Sequence, residues 1–478
     1  MAKYPRVASL KTVDEFRDHC RSLDIDIPVD AEADTEALAA SLHIDGLKIG
    51  NRFAILPMEG WDGTADGMPS ELTERRWENF GRSGAKWIWG GEAVAVRHDG
   101  RANPNQLIAT ESNMPHIGRL REKLVAAHQS EFGETSDLAI GLQLTHSGRY
   151  SRPNKKTVPE PRTAMRHEVL DRRLSIEDDS AMFSDDELKA LADDFVAAAV
   201  RAEAAGFVFV DIKHCHGYLG HELLMSVDRK GDYGGSLDNR LRFFREIAEG
   251  IRSEAPTLKI GTRLSLFDFV PYGPGEDNVG RPEPGADPRL SFGCDDTGVQ
   301  MDLKPTSELL TKLADMGVKM ICTSAGIPYA TPHLQRPATF PPSDGYDPPE
   351  DPLVGVTRQI FATAEMKKAH PEMAFIGSGY TYLQDYLAAV GGAVIRGGLA
   401  DSIGLGRMVL SYPELPADVL AGESKKRKKI CRTFSDCTTA PRNGMVSGCY
   451  PLDAFYKSRP EREALQNVKK ELAAQSSV

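Results

Sequence analysis

The 478-residue chain is 41% hydrophobic and carries a formal net charge of -11, so it can bury a large core and offers no basic surface to nucleic acid. It has no run of about 18 apolar residues, which excludes a hydrophobic membrane-spanning helix, and its first residues, MAKYPRVASL, lack the apolar region of a secretory signal. Seven scattered cysteines do not make a disulfide framework, and the reducing cytoplasm is the expected compartment.

Residues 1–45 read as a preface, with a short helix over 12–23 and an acidic, loop-like stretch over 29–35. From Arg52 onward, short apolar runs alternate with helical patterns. Strands are expected at 53–57, 87–89 with an extension towards Ala93, 138–144, 208–213, 259–264, 319–323, 374–377 and 402–405. Most are apolar throughout rather than alternating, as strands covered on both faces are. Helices are expected near 73–83, 114–129, 185–205, 237–254, 306–316, 357–368 and 382–390. The clearest starts at Asp185, where Ser184 and Glu187 make a capping box, and stops at Gly206.

Eight such strands could close into a barrel or lie in a doubly wound open sheet. A dinucleotide-binding sheet wants a Gly-rich fingerprint after its first strand. Here that strand runs into Pro57-Met58-Glu59-Gly60, and GxGxxG occurs nowhere. The expected fold is therefore α/β, a (β/α)8 TIM barrel over 46–416, with the N-terminal preface and a C-terminal extension over 417–478. The basic run at 425–429 (KKRKK) reads as a solvated linker. Two long loops, 148–180 after the third strand and 266–301 after the fifth, leave the strand ends where barrels build active sites. They are expected to serve as lids or binding loops, with a disordered surface excursion left open for the second.

Polar groups gather at the strand ends. Gln143, His146 and Arg149 follow the third strand; Lys213, His214, His216 and Tyr218 follow the fourth; Arg263 lies in the fifth. Gly379-Tyr380 ends the seventh and Gly406-Arg407 the eighth, where barrels commonly hold a phosphate on bare backbone N–H groups. A phosphate nest beside a set of polar groups that would span a planar ring points to a nucleotide cofactor.

In order and spacing these segments resemble the old yellow enzyme family, FMN barrels that reduce activated alkenes with NAD(P)H. The resemblance runs from about Leu47 to Pro416. It is carried by Asn51-Arg52 with Pro57-Met58, by the run from Glu92 through Arg97-His98-Asp99 to Gly100-Arg101, by Gln143 through Gly148-Arg149, and by His216-Gly-Tyr-Leu-Gly-His-Glu222. It continues through Asp232-Tyr-Gly-Gly-Ser-Leu-Asp-Asn-Arg240 with Arg242-Phe243, then Ala400-Asp401 with Gly406-Arg407.

The resemblance implies that Pro57, Met58 and Ala93 line the flavin with backbone groups and that Gln143 meets its pyrimidine edge. Arg263 would sit beside N1 and O2, and Gly379, Tyr380, Gly406 and Arg407 would hold the phosphate. A His-x-x-His or His-x-x-Asn pair grips a substrate carbonyl in the family, and a tyrosine two residues on supplies a proton. The aligned positions are Lys213, His216 and Tyr218. Two of this chain's residues depart from the family pattern: Lys213 stands for the first histidine, and Glu59 for the usual Thr or Cys near flavin O4 and N5. His214 would replace Lys213 if the strand end shifts by one residue. The two departures have opposite charges, and we expect Glu59 and Lys213 to pair, against the alternative that each points elsewhere.

The tail contains Cys431-x5-Cys437-x11-Cys449. Larger relatives of the dienoyl-CoA reductase and trimethylamine dehydrogenase type have Cys-x2-Cys-x3-Cys-x11-Cys here and hold a [4Fe–4S] cluster. Thr433 replaces the second cysteine and Cys431 is one residue out of register, so no cluster or other metal is expected. The expected activity is NAD(P)H-driven reduction of an electron-poor C=C bond in a small molecule. Oxidative N-demethylation of an amine, or flavin binding without ene reduction, are the alternatives. A homo-oligomer is compatible with the sequence; a nucleic-acid or membrane partner is not expected.

Overall fold

A computed structural model describes residues 4–475. Eight parallel strands form its centre: β1 (Phe53–Ile55), β2 (Trp87–Ile88), β3 (Ala139–Thr145), β4 (Phe209–Ile212), β5 (Lys259–Ser265), β6 (Met320–Ser324), β7 (Ala374–Gly377) and β8 (Ser402–Leu405). Each pairs with the next, and β8 pairs back onto β1 through Ile403 opposite Phe53, which closes the cylinder. This is the (β/α)8 barrel expected from the sequence. Closure leaves no exposed edge, and the continuous burial of every strand except the first residue of β5 explains the missing alternation. The extension towards Ala93 is a separate piece, Ala93–Ala95, that pairs with β3 after a turn at Gly90 and Gly91.

The lower barrel is packed solid. Trp87, Trp89, Phe209, Met320, Ala374 and Ile376 form an inner cluster, and Leu42, Ile44 and Leu47 of a hairpin pack against it. This floor leaves the strands' C-terminal ends as the open face. The preface docks outside: Phe16 stacks on Tyr386 at 4.4 Å, whose hydroxyl donates to the carbonyls of Leu10 and Thr12.

Around the barrel lie α1 (Glu71–Gly81), α2 (Met114–Phe132), α3 (Asp185–Ala204), α4 (Arg242–Glu254), α5 (Lys304–Asp315), α6 (Pro352–Ala369) and α7 (Leu387–Arg396). The capping box of Ser184 and Glu187 is formed at the start of α3. Two of the expected helices are broken. The one expected over 237–254 splits at Leu241 into Leu237–Arg240 and α4. The one expected over 382–390 opens as a 3-10 turn, Tyr380–Tyr386, with Gln384 at φ 51°.

The two long loops are ordered and dock on each other. Arg172 and Arg173 of the first pair with Glu283 of the second, which folds into a hairpin of Tyr272–Pro274 against Gly280–Pro282. The first is anchored below by the buried Arg149, which binds Asp171 and Glu222. The tail adds α8 (Asp436–Arg442) and α9 (Glu461–Gln475) around a small core of Ala440, Met445, Tyr450, Tyr456 and Leu465. It is fastened to the barrel by Arg336 on Ser435 (2.7 Å), Asn443 on Ser343 (3.0 Å) and Arg75 on Asp453 (2.9 Å).

Candidate active site

A cavity of about 230 Å³ opens at the C-terminal ends of the strands. Its lining brings together Pro57, Met58, Glu59, Gln143, Lys213, His216, Tyr218, Arg263, Gly379, Gly406 and Arg407. These are the sequence-expected site residues except two. Ala93 lies outside the lining, its carbonyl taken by the Gln106 amide at 2.8 Å. Tyr380 is fully buried under the rim, and its neighbours Ser378, Gly379, Thr381 and Tyr382 reach the cavity instead. The long loops were expected to serve as lids or binding loops. Among the described residues, none of 148–180 or 266–301 lines the cavity. Because they dock on each other, the walls come instead from the loop after β6 (Pro328, Tyr329, Gln335, Arg336) and from the tail (Thr433, Cys437, Thr438, Arg442).

The segment after β1 is held by a buried charge network. Arg76 donates to Asp62 at 2.8 Å and to Glu92 at 2.5 Å, and Glu92 also accepts the Gly60 N–H at 2.6 Å. Burial pushes the Glu92 carboxyl up to about 7, against the pull of Arg76. This network fixes the turn that presents Met58, Glu59 and Trp61. Across the cavity, Arg263 donates to the Pro57 carbonyl at 3.0 Å, which ties that turn to β5.

The end of β4 turns sharply. His216 has a left-handed φ of 67° and Gly217 follows at 72°, a conformation that is costly for histidine and frequent at functional sites. Ser265 Oγ accepts the His216 N–H at 3.1 Å, and the ring Nε2 meets Ser324 Oγ at 2.8 Å. Burial, with the charges of Arg263 and Lys213, pulls His216 well below its ordinary range, so the ring is neutral. His214 does not substitute for Lys213. Its ring bonds the Ile212 carbonyl and packs against Phe244, on the helix side of the barrel. Glu222 and His221 are structural: His221 Nδ1 accepts the Gly217 N–H, and Glu222 serves Arg149. Cys215 is buried and its thiol is pushed up to about 11.

Glu59 and Lys213 do not form the expected ion pair; both bind Tyr218 instead. The Tyr218 hydroxyl donates to Glu59 Oε2, and the Lys213 ammonium lies over the phenol ring, 3.7 Å from its centre. Burial, then Glu59, holds the phenol well above its usual range. Burial also draws the Lys213 ammonium down, partly countered by the Glu59 charge. Glu59 Oε1 is buried without a hydrogen-bond partner. Tyr329 adds a hydroxyl 3.5 Å from that of Tyr218 and stacks on Tyr150.

At the far end the chemistry is cationic. Neither Arg336 nor Arg407 makes an ion pair among the described residues; Arg336 donates to Ser435, and Arg407 reaches Thr438 Oγ1 at 3.5 Å. Burial and the Arg407 charge pull Arg336 down to about 9. A Cβ added at Gly406 would meet nothing within 4 Å. Two half-buried guanidiniums with no carboxylate partner among the described residues, beside open backbone, fit a phosphate dianion.

The sequence model of the NADH:flavin oxidoreductase / NADH oxidase family matches residues 39–281, the stretch that supplies β1 to β5 and the polar groups at their ends. The chain belongs to this family. Members bind FMN, with NAD(P)H as donor. The residues present fit that cofactor: Gln143 and Arg263 for the pyrimidine edge, and Arg336, Arg407, Gly379 and Gly406 for the phosphate. Similar curated proteins include NADH:flavin oxidoreductase FG08077 of Gibberella zeae, 31% identical over 195 residues (38% of this chain, 45% of the relative). Another is 12-oxophytodienoate reductase 1 of Oryza sativa subsp. japonica, 35% identical over 138 residues (27% and 35%). The chain thus spans less than half the length of these relatives. Among solved structures, a 2-naphthoyl-CoA reductase superposes with a TM-score of 0.62 at 16% identity, covering 90% of this chain and 58% of that one. The histamine dehydrogenase of Rhizobium sp. 4-9 gives 0.62 at 20% (88% and 53%) and morphinone reductase 0.55 at 19% (81% and 91%). At these identities they show the fold.

Trp61, Tyr329, Arg336, Thr438 and Arg442 were missed by sequence reasoning. Trp61 follows the turn after β1, and the others stand on the loop after β6 and on the tail, where no strand-end motif marks them. The only signal was the position of Arg336, directly before Pro337 in a polar loop.

Proposed function

We propose that this flavin-dependent oxidoreductase reduces an electron-poor C=C bond with electrons from NAD(P)H. The observation that carries this reading is the convergence of Lys213, His216 and Tyr218 on the cavity that Gln143 and Arg263 also line. When bound, FMN supplies the hydride. The Lys213 ammonium, with no carboxylate in ion-pair reach among the described residues, donates to the substrate carbonyl oxygen and polarises the alkene. Ser324 holds the neutral His216 ring for the same oxygen. Tyr218 gives its O–H proton to the α-carbon as the β-carbon receives hydride. The phenolate left behind lies under the Lys213 charge, which stabilises it until solvent returns the proton. We further propose that 46–416 is the FMN barrel, that 417–478 is an extension closing one wall of the cavity, and that the protein works in the cytoplasm, where its seven unpaired cysteines stay reduced.

The test separates the half-reactions. In Tyr218→Phe, anaerobic flavin bleaching by NADPH keeps its rate while reoxidation by an enone slows by about 10²–10⁴-fold, the usual worth of a general acid. Undiminished reoxidation would remove Tyr218 from the reaction. A second reading, oxidation of a methylated amine, is favoured by the unpartnered Glu59 Oε1 beside the Tyr218 and Tyr329 rings. It requires that a methylated amine alone bleach the flavin.

A further inference from the structure

We propose that Asp211 is a positioning residue for the flavin: its carboxylate fixes the orientation of the Gln143 amide and offsets the charge of Arg263, and so sets the reduction potential of the cofactor. The proposal rests on the FMN reading above. Asp211 stands on β4, directly opposite Gln143 in the β3–β4 register. It is fully buried and lies outside the cavity lining, behind the two residues that line it. Its Oδ1 accepts the Arg263 backbone N–H at 2.7 Å. Its Oδ2 accepts the Trp89 indole N–H at 2.7 Å and the Gln143 amide N–H at 2.5 Å. One side chain thus joins β2, β3, β4 and β5 just below the site.

The consequence for Gln143 follows from donor and acceptor counting. An ionised carboxylate only accepts, so the amide must turn its nitrogen to Asp211. That commits one of its two N–H groups. The oxygen and the other N–H remain for the cavity, an acceptor for the ring N3–H and a donor for a ring carbonyl. A neutral apolar side chain at 211 would leave the amide free to reverse. The consequence for Arg263 is electrostatic. Asp211 is a buried negative charge close to the guanidinium; burial pushes the Asp211 carboxyl up to about 6, while its three donors and Arg263 pull it down, so it is mostly ionised at neutral pH. A negative charge behind Arg263 weakens the hold of Arg263 on the anionic reduced ring. Asparagine keeps one acceptor oxygen, for either the Trp89 or the Arg263 N–H, and nearly the same shape. The charge and the fixed amide need aspartate, and that difference separates a positioning role from a packing role.

Asp211→Asn keeps one acceptor oxygen and the side-chain shape and removes the charge. Its bound flavin is expected to favour the reduced form at least tenfold more than in the wild type. For a two-electron couple this is a rise of about 30 mV in midpoint potential, read by anaerobic dye equilibration. A midpoint indistinguishable from wild type overturns the proposal. If Asp211→Asn does not fold, Trp89→Phe removes one of the three donors that keep the carboxylate ionised; Asp211 then moves towards its neutral form, so the balance should shift the same way as in Asp211→Asn, by about threefold, and an unmoved potential again overturns it. A wild-type protein that takes up no FMN would overturn the FMN reading and this proposal together. A flavin-loaded wild type with unmoved variants overturns only the role of Asp211.

Discussion

The two ends of the cavity are built from different parts of the chain and in different ways. At the ring end, Pro57, Gln143, Lys213, His216 and Arg263 stand at the ends of barrel strands inside the family-matched stretch, residues 39–281. Their positions follow from strand register: Gln143 lies opposite Asp211, and Arg263 opposite Cys322. At the end proposed to hold the phosphate, Arg336 comes from a loop and Thr433, Cys437, Thr438 and Arg442 from the tail, all beyond that stretch. Gly404 of β8 lines that end too, with Ser378, Gly379, Gly406 and Arg407 just past the ends of β7 and β8. A register error would break the barrel itself, so the ring end is fixed by the fold. The phosphate end is fixed by side chains reaching across from later chain, and can diverge without disturbing a strand.

Substitutions can break or sharpen this contrast. The largest effect is expected at the ring end. Arg263→Met removes the charge beside the ring and the bond to Pro57, so stopped-flow flavin reduction by NADPH should slow by about 100-fold, as for loss of a preorganised electrostatic group. At the other end, Arg336→Ala and Arg407→Ala should each weaken FMN binding by about 10- to 100-fold, the worth of a charged hydrogen bond. Riboflavin, which lacks the phosphate, should bind these variants as it binds wild type. Equal losses for both ligands in fluorescence titration would move these arginines away from the phosphate.

A smaller effect concerns the tail cysteines. The thiols of Cys431 and Cys449 are pushed up by burial, Cys431 to about 11, so they remain protonated. Replacing Cys431, Cys437 and Cys449 by serine should leave the iron content and the flavin spectrum of the purified protein unchanged. A lost absorbance band with lost iron would restore a cluster to this site.

The smallest effect is on stability. Burial raises Asp268 to about 7, although it accepts from Thr331 at 2.6 Å. Its folded form therefore holds a proton that the unfolded chain gives up near pH 4, and its contribution to stability falls as pH rises from about 4 to 7. Asp268→Asn does not ionise. The stability of the variant relative to wild type should therefore improve across that window, by urea titration at several pH values. A flat difference would show that Asp268 does not titrate there.

Much of this was legible in the sequence where a local rule acts. The short, largely apolar runs of 374–377 and 402–405 match β7 and β8 residue for residue, because strands covered on both faces are mostly apolar. Ser184 and Glu187 marked the start of α3 because a capping box is local chemistry. The strand-end motifs placed eleven side chains around one cavity. What the sequence hid was long-range. Nothing near Arg172 and Arg173 announces that Glu283 will hold them, and that contact draws both long loops off the cavity. Nothing near Arg336 announces a partner at Ser435. Glu59 and Lys213 were expected to pair, and a charge count could not reveal that a phenol stands between them.

The wall contributed by α8 has a consequence for how the holoenzyme is made. The barrel can close its last strand pair, β8 on β1, before residues 433–442 have been placed. The cofactor chamber is complete only afterwards. Flavin uptake should accordingly follow assembly of the cylinder rather than nucleate it, and a chain stopped after β8 should refold to a barrel that releases FMN far faster than the full chain.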